Sequence, residues 1–488
     1  MPRPNVLIVL CDQLAREYVG AYGNGVARTP HMDGLAAEGA LLTNAYVPLP
    51  VCSPARASMY TGLYPHQHLL HINGHPDHAW HTSVATLSNR PVLPESVPSL
   101  GQAFKAAGYR MGYTGNWHMG DDETAHHGWT DYWRTYRYWK NGRDYYVQHL
   151  EDVGLAETFR DEHRRFSMGS GLPAGVVPSG RSAIPREHAR TSWTVDQAIA
   201  FVEGRDSRPW MLTVSIKDPH PPVIMPDPFA DLVSPEEVEL PASLADDQLG
   251  KPDAYRRCQG FLNVRNMREP DWRRLIAHYH GLVAHVDAEF GRLLACLDAQ
   301  GLRDDTIVIL LSDHGEMMGA HRMMAKGPAL YEESIGIPFI LRWPGEVMPS
   351  RPDGMFSTID LNATLGGLCG VEVDAGEGLD QSAVLRGTTP AVRDAVFVEF
   401  YASPPDVDDW MFAKTIRTPR WKLNMFLFDR SELYDLEADP NEMCNLIDDA
   451  GHAEIRRDLC ERIVEWAEAT ADPITPLVER AARRLTLA

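Results

Sequence analysis

The sequence predicts an α/β fold, in which helices sandwich a large and mainly parallel sheet and a smaller α+β subdomain follows at the C-terminus. Two observations predict it. Short apolar runs rich in β-branched residues alternate with longer segments of helical periodicity, and this pattern changes near residue 375. Each apolar run is uniform enough to be covered on both faces, as strands of a parallel sheet are. The five clearest strands are 5–10, 108–114, 210–216, 306–311 and 338–343.

Helices are expected between these strands. The segment 96–108 has a Ser near its start and a Gly at its end, and 270–302 places apolar residues on one stripe, so both are predicted helices. The segments 121–190 and 217–265 lack a sustained period, and we interpret them as long insertions near the functional site. Within the first of them, the aromatic run 129–140 suits either a pocket wall or a subunit contact in a homo-oligomer.

The last part of the chain contains short strands instead of long helices. Apolar runs occur at 395–400, 412–418 and 421–426, and a helical pattern follows at 452–468. We therefore predict a main α/β domain at 1–375 and a subdomain at 376–488, with a small antiparallel sheet and a terminal helix.

Composition excludes several classes of protein. The chain has 488 residues, of which 44% are hydrophobic and 23% are charged, so it has the composition of a globular protein. Its 46 Lys and Arg against 67 Asp and Glu give a net charge of −21, which would repel nucleic acid and anionic membrane surfaces. We expect neither as a partner.

Cysteine usage and hydropathy bear on the compartment. The seven cysteines are widely spread without a Cys-x-x-Cys pair, which argues against a disulfide framework or a zinc knuckle. The apolar run at 5–10 is too short for the layout of a signal peptide, and no stretch approaches the roughly 18 apolar residues of a membrane span. We expect a cytoplasmic location.

Polar side chains directly follow two of the predicted strands. Asp12 and Gln13 come after the first strand, and Asp313 and His314 come after the fourth. Ligands of open α/β sheets collect at the carboxyl ends of strands, so these side chains are expected to meet. Carboxylate and amide oxygens with one imidazole suit a divalent cation. Alternatively, an Asp at a strand end serves as a helix cap or a loop acceptor.

The segment 50–62, PVCSPARASMYTG, contains a Cys-x-Pro-x-Arg motif. It resembles the signature of type I sulfatases, in the alkaline-phosphatase-like superfamily, and the similarity continues to the segment 435–446. The resemblance implies that a maturation enzyme oxidises Cys52 to formylglycine, whose hydrate is the nucleophile, and that Arg56 neutralises it. A helix beginning near Pro54 would place the nucleophile at a positive helix end. The alternative is a buried Cys beside a surface Arg.

The resemblance also implies a metal site. Sulfatases bind one divalent ion, here Ca²⁺ or Mn²⁺, through residues after the first strand, a pair after a late strand and the modified cysteine. Asp12, Gln13, Cys52, Asp313 and His314 match these positions. Gln13 stands where many sulfatases have Asp and lowers the negative charge around the metal, and His314 in place of Asn acts similarly.

A second family signature ends in Gly-Lys-Trp-His, whereas this chain has Gly115-Asn116-Trp117-His118. Asn116 replaces a Lys that contacts the substrate anion, so one positive charge is lost and a neutral donor remains. The resemblance implies that His118 hydrogen-bonds the aldehyde hydrate and helps to expel sulfate. The alternative for His118 is a purely structural role.

Three more residues match functional positions of the superfamily. His220, in the segment DPHPP, corresponds to a His that contacts the anion and protonates the leaving group. Lys326 corresponds to a Lys that neutralises an oxygen in the transition state, with a solvated surface Lys as the alternative. Asn73 lies where phosphonate monoester hydrolases place an Asn on the substrate oxygens.

The resemblance implies a small-molecule ester substrate and leaves two activities open. The first is hydrolysis of a sulfate monoester, and the second is hydrolysis of a phosphonate monoester or phosphodiester by the same nucleophile. The departures at Gln13, Asn116 and His314 keep both open because they alter the charge of the site. A catalytically inactive binding protein would require an unmodified Cys52, and the retained site residues argue against it.

Overall fold

A seven-stranded sheet forms the centre of the computed structural model, which describes residues 3–73, 80–81, 88–120, 126–135, 144–166, 179–402 and 411–487. Four of its six strand pairings are parallel, and one strand near an edge runs opposite to both of its neighbours. In spatial order the strands are β2 (Ala40–Leu42), β12 (Phe339–Arg342), β11 (Thr306–Ser312), β1 (Asn5–Asp12), β9 (Trp210–Pro219), β6 (Arg110–Gly115) and β7 (Asp131–Arg134).

The central strand β1 shows how the sheet is buried on both faces. Successive side chains of a strand point to opposite faces, so Leu7 and Val9 pack in one core and Val6 and Ile8 pack in another. The five strands predicted from the sequence all form, as β1, β6, β9, β11 and β12. The prediction of a large, mainly parallel sheet is confirmed.

Helices cover both faces of this sheet. The described residues include α1 (Pro30–Glu38), α2 (Cys52–Thr61), α3 (Pro65–His68), α4 (Leu100–Ala106), α5 (Tyr145–Asp152), α6 (Ala156–Phe166), α7 (Arg190–Glu203), α8 (Asp253–Arg257), α9 (Gln259–Leu262), α10 (Glu269–Ala299), α11 (Glu332–Ile335), α12 (Asp360–Cys369), α13 (Ser382–Leu385), α14 (Ala453–Ala469) and α15 (Thr475–Leu487).

The helices form two layers. The first layer contains α1, α7 and α10 and packs on the face of Leu7 and Val9, and the second contains α2, α4 and α12. The predicted helices at 96–108 and 270–302 are present as α4 and α10. Among the described helices, none combines the length and the hydropathy that crossing a membrane requires.

A four-stranded antiparallel sheet follows in the C-terminal part. Its strands pair in sequence order, and α14 and α15 pack beside it. The predicted small sheet and terminal helix are confirmed, and α15 is a second helix that was not predicted. The division at residue 375 remains a prediction. The strands are β14 (Val396–Ala402), β15 (Met411–Arg417), β16 (Trp421–Phe426) and β17 (Glu432–Asp435).

The remaining short strands form two-stranded pairs. They are β3 (Ala45–Tyr46) with β13 (Phe356–Ser357), β4 (Trp80–His81) with β5 (Ser88–Asn89), and β8 (Ser179–Arg181) with β10 (Val223–Met225).

The two predicted insertions contain more regular structure than their sequences indicate. The segment 121–190 includes β7, β8, α5 and α6, although 121–125, 136–143 and 167–178 lie outside the described residues. In the aromatic run 129–140, the described part ends at residue 135, and Trp129 is buried in the core against Tyr60. Trp129 is therefore a core residue, whereas Thr135, at the end of the described part of this run, lines a small cavity.

A buried ionic network joins the C-terminal sheet to the helix after α2. Lys414 Nζ donates to Glu399 Oε2 at 2.6 Å and also pairs with Asp472, while His66 Nδ1 lies 2.9 Å from the same Glu399 oxygen. Burial would raise the pKa of Glu399, but the charges of His66 and Lys414 hold that pKa well below its usual range. The network therefore fixes the two parts of the chain against each other with a charged carboxylate.

Replacing Glu399 with Ala should lower the free energy of unfolding by about 3 kcal/mol, because it removes one partner of a buried ion pair and leaves Lys414 undercompensated. Chemical denaturation of the two proteins measures this difference. The control is Glu479→Ala, which breaks an exposed pair with Arg483 and should cost less than about 1 kcal/mol. Equal losses in the two variants would contradict a stabilising role for the buried network.

Candidate active site

The candidate nucleophile lies at the start of a buried helix. Cys52 is the first residue of α2, two residues earlier than the start predicted near Pro54, and Val51 before it has an extended backbone. The first amides of a helix have no partner within the helix, so its N-terminus carries partial positive charge. At the other end Gly62 adopts φ 74°, and a Cβ there would lie 2.1 Å from the Ala375 carbonyl oxygen. Gly62 therefore ends the helix that carries Cys52.

Arg56 lies one turn along α2 and is completely buried. Its Nε donates to Asp313 Oδ2 at 2.9 Å, and its Nη2 donates to Asp12 Oδ2 at 3.2 Å. Its Nη1 donates to the Asn116 carbonyl and to Ser215 Oγ, both at 2.7 Å. Arg56 is therefore not a surface residue, and it fixes one oxygen of each aspartate.

The strand register explains why the two aspartates meet. In the β1–β11 ladder, Cys11 pairs with Ser312, so the residues that follow each strand end at the same level. The Asp313 amide donates to the Cys11 carbonyl at 3.1 Å, and Gln13 turns the chain away from the sheet with φ 70°. The expected convergence at the carboxyl edge of the sheet is what the structure shows.

Four potential metal ligands converge around the two aspartate oxygens that Arg56 does not bind. His314 Nε2 lies 3.6 Å from Asp313 Oδ1, 4.0 Å from Asp12 Oδ1 and 3.3 Å from Cys52 Sγ. All four ligand atoms lie within 4.8 Å of one another, and all four residues are buried. Two carboxylates, one imidazole and the residue 52 side chain form a donor set that fits a divalent cation.

The tautomer of His314 favours this arrangement. Its Nδ1 lies 2.8 Å from the Gly315 carbonyl, which only accepts hydrogen bonds, so Nδ1 carries the proton. In the neutral ring Nε2 therefore has no proton, and this nitrogen faces Asp12 and Asp313. A backbone partner on the other ring nitrogen is the usual way in which a protein orients a histidine ligand.

Gln13 is placed differently from the other predicted ligands. Its Oε1 accepts from Lys326 Nζ at 2.8 Å, and its Nε2 donates to the buried carboxylate of Glu316. Its backbone amide donates to Asp313 Oδ1 at 3.0 Å. The side chain of Gln13 thus positions Lys326, and metal ligation by Gln13 remains a prediction.

Lys326 contacts the candidate nucleophile directly, with Nζ 2.9 Å from Cys52 Sγ. Burial lowers the pKa of Lys326, but Cys52, Asp12 and Asp313 raise it more, so the net shift is upward. Burial alone would raise the pKa of Asp12, yet nearby His220, Arg56 and Lys326 hold it well below its usual range. The site therefore keeps the Asp12 carboxylate and the Lys326 ammonium charged.

The loop that carries Lys326 is shaped by a residue that was not predicted. Glu316 accepts a hydrogen bond from the Met318 amide at 2.9 Å and another from the Ala325 amide, next to Lys326. The sequence signal for Glu316 was its place two residues after His314, because a carboxylate in a strand-end loop often accepts hydrogen bonds from nearby amides.

The remaining predicted residues surround this centre. Asn116 Nδ2 donates to Asp12 Oδ2 at 3.3 Å, and Asn73 Oδ1 accepts from the Ser53 amide at 3.3 Å, beside Cys52. His220 Nδ1 lies 2.6 Å from the Pro221 carbonyl, so that nitrogen carries a proton. A small cavity brings several of these side chains together with three residues that were not predicted; its lining is Asp12, Asn116, His118, Thr135, Arg190, Lys217 and His220.

A larger cavity of about 490 Å³ opens beside the small one. Gln13, Lys326 and His220 form the wall nearest the nucleophile, and α5 and α6 contribute Tyr146 and Phe159. The segment interpreted as an insertion thus lines a cavity next to the site. The walls combine apolar side chains with polar and charged ones, which suits the organic part of an ester that also carries polar groups.

Comparisons with known proteins show the family of this chain. The sulfatase family model matches residues 4–371, and a model of the N-sulphoglucosamine sulphohydrolase C-terminal region matches residues 319–469. The uncharacterized sulfatase YidJ of Escherichia coli is 31% identical, covering 97% of this chain and 89% of YidJ. The arylsulfatase of Clostridium perfringens is 26% identical, covering 95% and 94%. The phosphonate monoester hydrolase structure from Agrobacterium radiobacter has 25% identity and a TM-score of 0.81, covering 96% of both chains.

The fold and the site define a hydrolase of the alkaline-phosphatase-like superfamily. Within it, the chain belongs to the sulfatase family.

Replacing Asp12 or Asp313 with Asn should weaken divalent metal binding by at least about tenfold, because each removes a charged oxygen from the four-ligand cluster. Metal analysis after dialysis against limiting Ca²⁺ or Mn²⁺ measures the loss. The control is Asp131→Asn on edge strand β7. It removes a carboxylate that pairs with Arg110, and the variant should keep full metal content. Normal metal content in both site variants would show that the ligands lie elsewhere.

Proposed function

We propose that the protein hydrolyses a sulfate monoester to an alcohol and sulfate, with a nucleophile made from Cys52. The observation that carries the proposal is the convergence of Asp12, His314 and Lys326 on Cys52 Sγ, at distances of 2.9 to 3.4 Å. The family match and its sulfatase relatives support the same reaction class.

The identity of residue 52 decides what chemistry the site supplies. A formylglycine at this position, installed by a maturation enzyme as in the family, would supply a hydrated aldehyde hydroxyl as the nucleophile. Asp12, Asp313, His314 and residue 52 would hold one divalent ion, Ca²⁺ or Mn²⁺, with Gln13 as a further candidate ligand. Such an ion would supply Lewis-acid stabilisation of the ester oxygens.

The residues of the chain divide the remaining tasks. Lys326 approaches the nucleophile with a charged ammonium and would stabilise charge that develops on an ester oxygen. His220 lines both cavities, between the centre and the pocket for the alcohol, so it would protonate the departing oxygen. His118 lines the small cavity beside Asp12 and would accept the proton that is released when sulfate leaves.

A second candidate function is hydrolysis of a phosphonate monoester or phosphodiester by the same nucleophile. It is supported by the similarity to the Agrobacterium radiobacter phosphonate monoester hydrolase and by the position of Asn73 beside Cys52. The substrates of both reactions carry a single negative charge. A site with a neutral Asn116 and a neutral Gln13 suits such monoanions, and both activities are expected in one protein.

The nucleophile is tested by mass analysis of the peptide that contains residue 52, together with kinetics on 4-nitrophenyl sulfate and 4-nitrophenyl phenylphosphonate. Activity should scale with the fraction of formylglycine. Cys52→Ala should lose turnover of both esters while keeping the fold, because it removes the nucleophile without adding bulk. Full activity in a sample whose residue 52 is entirely thiol would refute the assignment. The ratio of the two kcat/KM values ranks the two candidate functions.

Replacing His220 with Gln should slow esters with poor leaving groups more than esters with good ones, because only a poor leaving group needs protonation. We expect a loss of about 100-fold or more for an alkyl sulfate and a much smaller loss for 4-nitrophenyl sulfate. The comparison uses kcat/KM for the two substrates. Equal losses would show that His220 binds or positions the substrate and is not the general acid.

A further inference from the structure

A cation that neither family signature contains lies on the wall of the small cavity, together with the substituted position 116. Arg190 begins α7, about 70 residues further along the chain, and it lines the small cavity together with Asn116 and His118. It also lines the 490 Å³ cavity. Arg190 therefore faces the region that lies between the candidate nucleophile and the pocket for the alcohol.

Two aromatic rings hold Arg190 in place. Its guanidinium carbon lies 5.1 Å from the ring centroid of Tyr146 and 5.4 Å from that of Phe159. Within the described part of the chain, no carboxylate pairs with this guanidinium. A half-buried guanidinium held by stacking keeps its hydrogen-bond donors available for a ligand, and an anionic ligand would compensate its charge.

The other cations of the centre have protein partners. Arg56 is bound by Asp12 and Asp313 and is completely buried, and Lys326 is shared between Cys52 and Gln13. Asn116 contributes only a neutral amide, whose Nδ2 donates to Asp12. The side of the site that faces the small cavity therefore lacks a charge at position 116, and Arg190 and Lys217 both lie on the same cavity wall.

We propose that Arg190 binds the anionic ester group of the substrate and supplies the positive charge that position 116 lacks. This inference rests on the proposed function, because it assigns the anion of that reaction to Arg190. The planar guanidinium donates two parallel hydrogen bonds to a sulfate or phosphonate group, which a single Lys cannot do. The stacking on Tyr146 and Phe159 restricts its rotamers before binding, so less entropy is lost when the anion arrives.

The test begins with Arg190→Gln in matured protein. We expect kcat/KM for 4-nitrophenyl sulfate to fall about 10- to 100-fold, the range for losing a hydrogen bond to a charged group. Formylglycine content, metal content and melting temperature should be unchanged. The control Arg164→Gln removes a charge from an exposed position on α6 and should change kcat/KM less than about twofold. An unchanged kcat/KM in Arg190→Gln would overturn the proposal.

A compensating substitution tests the specific link to position 116. Asn116→Lys added to Arg190→Gln should recover at least about fivefold of the lost kcat/KM, because it restores a cation to the same cavity wall. The comparison adds the same Asn116→Lys substitution to Lys217→Gln, since Lys217 lines the same two cavities. Rescue of the Lys217 variant without rescue of the Arg190 variant would assign the compensating charge to Lys217 and overturn the proposal.

Two further measurements separate this inference from its alternatives. A loss confined to 4-sulfooxybenzoate, with 4-nitrophenyl sulfate unaffected, would show that Arg190 binds a second anionic group on the alcohol. Binding of inorganic sulfate to Cys52→Ala, with and without Arg190→Gln, is independent of turnover. Arg190→Gln should weaken it about tenfold or more. This result would stand even if the proposed ester hydrolysis failed, whereas unchanged sulfate affinity would overturn the role of Arg190 alone.

Discussion

The paired contact of Arg56 with Asp12 and Asp313 is the interaction on which the site depends. All three side chains are almost fully buried, and an unpaired charge in such a place would cost several kcal/mol. One guanidinium binds one oxygen of each carboxylate, so the other oxygens face His314 and Cys52. Because Arg56 lies four residues after Cys52 on α2, the same contact also docks the nucleophile's helix against the ends of β1 and β11.

Charge is distributed in this centre in a way that suits a monoanionic ester. Gln13 and Asn116 are neutral at positions where sulfatases have charged residues, and their amides connect Lys326 and Asp12 to the rest of the site. One carboxylate and one ammonium are thereby absent, and the missing ammonium belongs to the side of the small cavity that Arg190 also lines. A singly charged sulfate or phosphonate monoester needs fewer cations than a phosphate monoester dianion, which is consistent with the similarity to both groups of enzymes.

The C-terminal sheet supports the loop that carries Lys326. Tyr331 shares a core with Ile416 and Leu423 of that sheet, and Glu332 is bound by Arg417 and Lys422. These contacts lie just after Lys326 in the chain, so the sheet holds one end of the loop and the strand β11 holds the other. The C-terminal part therefore supports the position of this loop, and none of its described residues belongs to the ligand cluster around Cys52.

The sequence by itself determined the central strands, the strand-end aspartates and the Cys52–Arg56 pair, because burial on both faces and short fixed spacings leave local patterns. It placed the start of α2 two residues too late, since Cys52 and Ser53 are weak helix formers that only tertiary packing brings into the helix. Only the tertiary structure decided that Gln13 holds Lys326, that Ser215 binds Arg56 and that Arg190 reaches the cavity beside Asn116. These contacts join residues separated by roughly 70 to 310 positions, and no local pattern encodes which distant side chains the fold brings together.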